Sequence, residues 1–520
     1  MYNVKALISK IQTKITNEYL QNANKRPFIV SRANTIGHGK YGFHWLGDNI
    51  STFDFLKWSI SGIFNYNIFG VPFTGADICG FHRSSTDELC ARWHILGAFY
   101  PFSRNHNVDT GLPQEPWEFK NRYRYENSND KNRPKEGYTL HAAKVGIKMR
   151  YSLMRYAYTQ FMKISLGEKG AYFKPAFFEF NDDDILLNDM EIQNTHIMVG
   201  DSIYFVPCLN LEQNDYKGYF PNANFNSLIN FESIVNYKKE NIKGNYILLK
   251  GNMTTINAYL LGGKIIPMQK TKNVLNSKDL RNTPINLIIN PNQNKIAKGN
   301  IIYDNDDKDT IINKDYLDIS VKLENDNIIF NVLNKPKNIY NLQDNKIHEI
   351  ILLRAKEYEF NNIISINAII NDNQINKDVI YDEIHDIIKI NFNSEYEIQN
   401  FKKIVFNKKL NNIVDNNVDQ VIDNKNDVKN NNESVKDNEN KIKENYEPLK
   451  KDKKSSDIKE KKENKVKNKV NENHKNLIWI KICIGLIFFM ISIIIILFVR
   501  IKSLQRKKAN YIELAGLDPV

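Results

Sequence analysis

Cysteine is scarce, four residues in 520, which excludes a disulfide scaffold. The N-terminus, MYNVKALISKIQTK, has no apolar core of the kind that a cleavable signal needs. Membrane insertion would then be directed by an internal apolar segment or by sequence ahead of Met1. Also missing is the interleaving of arginine with aromatics found in nucleic-acid binders. The formal net charge is +12, yet much of the lysine sits in a late stretch without apolar content. That charge reads as a solvated segment, and no nucleic-acid partner is expected.

One apolar run dominates the C-terminal end. From Leu477 to Val499 the chain reads LIWIKICIGLIFFMISIIIILFV, with Lys481 its one charge. It is long enough to span a bilayer, and from Ile482 onward it has no polar face with which a buried soluble helix would meet water. A single transmembrane helix is expected, followed by a short tail, residues 500–520. Lysine and arginine flank it on both sides, Lys459 to Lys475 before and Arg500 to Lys508 after, so charge alone does not orient it. Ahead of it, residues 407–475 are Asn, Lys, Asp and Glu with one aromatic, Tyr446. Such a composition buries too little apolar surface to offset chain ordering, and a disordered stalk is expected.

The first 110 residues hold four short apolar runs ending in polar groups: PFIVSR, FHWLGD, GVPFTGADICG and AFYPFSRNH. Helical patterns lie between them, Ser51 to Tyr66 and Thr86 to Gly97, and a longer one runs from Gly137 to Leu166. This is βαβα order with the hydrophobicity of parallel strands. The polar residues gather at strand C-termini, where a (β/α)-barrel places its active site. From Lys174 onward the pattern is strands and turns, suggesting a proximal β-sandwich over residues 173–268 and a distal β-domain over residues 269–406.

Glycoside hydrolysis needs two carboxylates, one of them protonated to assist the leaving oxygen. Asp48 ends a strand behind Trp45 and Gly47. It suits the acid role, or else it caps the helix that starts three residues later. Arg32 and His106 end neighbouring strands, where they would read sugar hydroxyls or serve the fold. Asp77 has Arg32 and Arg104 as candidate partners. Cys79 and Cys90 flank a polar loop, either bridged or as two separate buried thiols; a bridge would require an oxidising compartment.

Residues 26–107 closely resemble glycoside hydrolase family 31, in particular its lysosomal acid α-glucosidase, sucrase-isomaltase and maltase-glucoamylase group. The blocks RPFIVSRANTIGHGKYGFHWLGDNIS, GVPFTGADICGF and ELCARWHILGAFYPFSRNHN carry the likeness. It continues more weakly through QEPWEF, PAFFEF and GGKIIPM, covering residues 1–400. The resemblance implies the C-terminal half of a (β/α)8 TIM barrel, residues 1–172, followed by two β-sandwich domains, and a retaining α-glucosidase activity without metal or organic cofactor. It implies Asp48 as acid/base, Arg32 and His106 as ligands of the first glucosyl ring, Trp45 and Phe81 as walls, Asp77 as a supporting carboxylate, and a Cys79–Cys90 disulfide. An α-glucoside or oligosaccharide is the expected substrate.

One departure matters. The family's nucleophile lies in an upstream Trp-x-Asp-Met-Asn-Glu block, and the 520 residues contain none. The activity of this chain alone is therefore doubtful, and the alternative is a non-catalytic glycosidase-like membrane glycoprotein acting as a binding or escort subunit. The disulfide and the resemblance place the barrel on the lumenal or extracellular side of a single-pass membrane protein. Sequons at Asn252 and Asn432 are compatible with glycosylation, whereas Asn49, beside Asp48, reads as a chance match.

Overall fold

The computed structural model describes residues 4–120, 134–168, 170–240, 243–305, 308–337 and 345–409, within one compact unit, Met1–Val414. Asn407 and Lys408, expected to open the stalk, instead end the strand Phe401–Lys408; the rest of the stalk beyond Lys409, the Leu477–Val499 run and the tail lie outside the described residues. Among the described residues no helix is long and apolar enough to cross a membrane.

The N-terminal part alternates helix and strand: α1 (Lys5–Asn22), β1 (Val30–Ser31), β2 (Phe43–Trp45), α2 (Phe53–Ile68), β3 (Thr74–Gly75), β4 (Asp77–Ile78), α3 (Asp87–Gly97), β5 (Arg104–Asn105), α4 (Tyr138–Ser152) and α5 (Met154–Ser165). The strands form a parallel arc. Val30 pairs with Phe43, His44 with Thr74, and Asp77 with Arg104. Each strand is far shorter than the apolar run that announced it. Burial is complete at β3 and β4 but partial along β1, β2 and β5, and Phe28 in the first run is 60% exposed.

Both inner helices begin where threonine can cap them. Thr52 accepts from the Phe55 amide and Thr86 from the Leu89 amide, each at 3.3 Å. On α2, Leu56, Ile60, Ile63 and Phe64 recur at helical spacing on the buried face. They join Trp93 and Leu96 of α3 in one core with Phe173 and Phe205, each fully buried aliphatic contributing about 2 kcal/mol. Asp87 also reaches forward to start α4. Its buried carboxylate accepts the amides of Tyr138 and Thr139, both at 2.9 Å.

Three expectations need correction. The pattern from Gly137 to Leu166 is two helices, broken at Leu153 (φ −91°, ψ 2°). The break lets α4 pack on α3 while α5 lies against the strand Ala297–Asp304. After β6 (Phe173–Pro175) the chain is not all strand. Two short helices intervene, α6 (Asp184–Asn188) and α7 (Met190–Thr195), because Asp183 and Asp189 cap them in succession. Strands β7 (Ile197–Val199), β8 (Ile203–Phe205), β9 (Asp215–Phe220), β10 (Phe225–Ser227), β11 (Ser233–Val235), β12 (Asn245–Lys250) and β13 (Ala258–Leu261) follow. They make a six-stranded antiparallel sheet, β11-β10-β13-β8-β7-β6, and a β9–β12 ribbon.

The third correction concerns the distal region. Strand β14 (Lys264–Gln269), expected at the end of the proximal sandwich, belongs to the next sheet. That sheet runs unbroken through eleven strands to Phe401–Lys408. It rolls up, since Lys377 near one edge meets Glu395 near the other at 3.6 Å.

Three buried histidines tie stability to pH. Burial holds His44, His94 and His196 down to about 4, from an ordinary 6.5. The unfolded chain takes up protons near pH 6.5 that the fold refuses until about pH 4. Their contribution is complete above pH 6.5 and is lost as pH falls through that window. Thermal melts should therefore show Tm falling steadily from pH 7 to pH 5; a flat Tm would contradict the burial of these imidazoles.

Candidate active site

The C-terminal ends of the four parallel segments form one rim. Asp48 stands three residues beyond β2, half-buried, with 28% of its side chain exposed. Arg32, one residue beyond β1, points Nη1 at Asp48 Oδ2 across 3.5 Å. Among the described residues that is the one partner of the carboxylate. Thr52 caps α2 and Asp48 does not, so the capping alternative falls away. Gly47 has φ +90°, and a Cβ there would sit 2.8 Å from Arg32 Nε. The missing side chain at Gly47 thus makes room for Arg32.

Trp45 lies between two cations. The guanidinium of Arg104 is 4.8 Å from its ring centroid and that of Arg32 is 5.7 Å away. Asp77, the first residue of β4, is fully buried and takes Nε and Nη2 of Arg104 on Oδ1, at 2.9 and 2.5 Å. The two candidate partners of Asp77 are thereby resolved, with Arg104 on Asp77 and Arg32 on Asp48. Burial pushes the Asp77 carboxyl above its usual range, while Arg104, His106 and Trp45 draw it back. His106 is exposed, and its ring stacks on Phe81 with centroids 5.3 Å apart.

Phe81 is held from behind. The loop carrying it turns through Cys79 (φ +74°) and Gly80 (φ +90°), and a Cβ on Gly80 would strike the Ser51 backbone at 2.5 Å. Cys79 is disulfide-bonded to Cys90 of α3, eleven residues on. With His94 the two sulfurs form a tight cluster, but the bridge takes both thiolates away from any metal.

Two amides of this rim escaped the sequence reading. Asn49, buried, donates Nδ2 to the Asp77 carbonyl at 2.9 Å and accepts the Phe81 amide on Oδ1 at 2.9 Å. Gln114, also buried, donates Nε2 toward the carbonyls of Ile78 and Gly80 at 3.2 and 3.1 Å and toward Asn105 Oδ1 at 3.0 Å. Apart from Asn105, their partners are main-chain groups about thirty residues away, which no local pattern reveals. The sole signal at Asn49 was its sequon, and that points the wrong way: both ends of this amide are occupied. Asn252 is exposed, and Asn432 lies outside the described residues.

A parallel β/α arc with a carboxylate, two arginines, an imidazole and aromatic walls at its strand ends has the form of one side of a (β/α)-barrel, with a polar-ligand site at that rim. Residues 1–160 match the model of the glycosyl hydrolases family 31 TIM-barrel domain, so this part of the chain is a family 31 barrel segment. A lysosomal acid alpha-glucosidase of Tetrahymena pyriformis is 44% identical over 187 residues, 36% of this chain and 18% of its own length. The lysosomal alpha-glucosidase of Rattus norvegicus is 30% identical over 66% of this chain and 35% of its own. The chain thus spans about a third or less of these relatives. Among solved structures, a glucosidase II alpha subunit superposes with TM-score 0.67 at 19% identity, over 77% of this chain and 42% of that one. A family 31 dextranase of Flavobacterium johnsoniae, complexed with glucose, gives 0.59 at 18%, over 78% and 49%. At these identities the likeness concerns the fold.

The Asp77–Arg104 pair makes a sharp prediction. Arg104→Met leaves a buried carboxylate without its cation, at a cost of about 3 kcal/mol near neutral pH. A carboxyl whose folded pKa is raised destabilises the fold as pH climbs through its unfolded value, so the penalty shrinks on acidification. Melts of the variant against wild type should show the larger Tm gap at pH 7.5 and the smaller at pH 5. An equal gap at both would contradict the pairing.

Proposed function

We propose that this chain supplies the acid/base side of a retaining α-glucosidase site acting on terminal α-linked glucose. We further propose that Leu477–Val499 anchors it in a membrane, with the barrel on the lumenal or extracellular side. The observation that carries the reading is Asp48 itself. It is a part-exposed rim carboxylate with, among the described residues, a single loose arginine partner and no duty in capping α2. The family match and the names of the relatives support the substrate class.

In the first step, Asp48 as the acid gives its proton to the glycosidic oxygen while a second carboxylate attacks the anomeric carbon and the C–O bond breaks. In the second, Asp48 as the base takes a proton from water, which displaces the enzyme carboxylate and restores the first configuration. Asp77 does not suit the attacking role, because it is buried and committed to Arg104. The attacking carboxylate is assigned to the family's upstream block, so the site is shared between these residues and a preceding part of the barrel. Arg32, His106, Trp45 and Phe81 would bind and orient the terminal ring. No cofactor enters the scheme.

The test is turnover of a chromogenic α-glucoside by the native protein purified from its source. Asp48→Asn should cut the rate roughly a hundred- to ten-thousandfold with little change in Tm. Native protein that binds glucosides without turning them over would instead establish the binding or escort subunit.

A further inference from the structure

A second concave site lies away from the rim, where the barrel meets the proximal sheet. It is a cleft of about 390 Å³, within the range of ligand sites. One wall is the β9–β12 ribbon, where cross-strand pairing sets Lys217 opposite Leu248 and Tyr219 opposite Tyr246. Of these, Lys217 and Tyr246 line the cleft, and Tyr246 is 52% exposed. The other wall is α7 with Lys57 of α2, and the floor is the stretch around Val206 to Gln213.

Its lining divides by duty. Asp189 caps α7, His196 accepts the Tyr219 amide and Tyr216 is bound to Val206 and Asn257, so these groups serve the fold. Lys57, Glu191, Lys217 and the Tyr246 hydroxyl make no hydrogen bond or ion pair among the described residues. The uncommitted groups thus comprise two cations, one anion and a phenol around an exposed aromatic face. Charge of both signs disfavours a strongly ionic ligand. Donors and acceptors spaced around a ring face suit a neutral polyhydroxylated one.

We propose that this cleft is a non-catalytic subsite for a neutral oligosaccharide, with Tyr246 as its stacking platform and Lys57, Glu191 and Lys217 reading hydroxyls. Its position fits a role in holding substrate near the rim. Lys57 lies on the second turn of the helix leaving the Asp48 loop, about 7.5 Å along the axis from Thr52. The choice of sugar as ligand rests on the α-glucosidase reading.

The experiment is saturation-transfer NMR on maltotetraose with the full chain in a detergent that carries no sugar. The rim is first disabled by Asp48→Asn with Arg32→Ala. Transfer should persist in this double variant and fall about tenfold when Tyr246→Ala is added, the size expected from truncating an aromatic anchor. Glu191→Gln, an exposed and nearly isosteric change, should lower it too and guards against misfolding of the tyrosine variant. Transfer that vanishes with the rim substitutions, is indifferent to both cleft substitutions, or is absent throughout overturns the subsite. Failure of the α-glucosidase reading shows separately, as absent turnover by native protein, and leaves cleft binding measurable.

Discussion

A parallel strand of two or three residues makes too few ladder hydrogen bonds to fix the direction of anything, and the arc of this barrel is built from such strands. Its rim is therefore held by side chains that bond the main chain of the next segment. Asn49 joins the end of β2 to Asp77 and Phe81, Gln114 joins β4 to β5, and Asp87 joins α3 to α4. Each is buried, so breaking one would strand donors or acceptors away from water.

That scaffold gives each rim group a different electrostatic setting. Asp77 is sealed against Arg104 with no exposure, whereas Asp48, one strand away, keeps access to solvent and a loose contact with Arg32. Proton transfer needs a carboxylate that substrate and water can reach, and support of a wall needs one that they cannot. Trp45, flanked by the two arginines, separates the two roles. The disulfide adds a covalent stay to the loop that presents Phe81 to His106.

Much of this was legible in the sequence. Apolar runs carrying Arg32, Asp48, Asp77 and His106 marked the strand ends, and Thr86 opened its helical pattern, whereas the cap of α2, weighed at Asp48, is Thr52. Strand length was not legible, because an apolar run looks the same in sequence whether two or six of its residues pair. The break at Leu153 was hidden by an uninterrupted helical period, and the arginine pairings required distances. The short helices after β6 were announced by the aspartates of NDDD and NDM, which the surrounding aromatics outweighed. The eleven-strand order could not be read from alternation, which reports the faces of strands and not their neighbours.

The most direct measure of whether Asp48 is the acid is how its loss depends on the leaving group. In the native protein carrying Asp48→Ala, turnover of maltose, whose departing sugar oxygen needs a proton, should collapse. For α-glucosyl fluoride, whose leaving group needs little protonation, kcat/KM, which reports the bond-breaking step alone, should fall far less than it does for maltose. Equal losses on both substrates would contradict an acid role for Asp48.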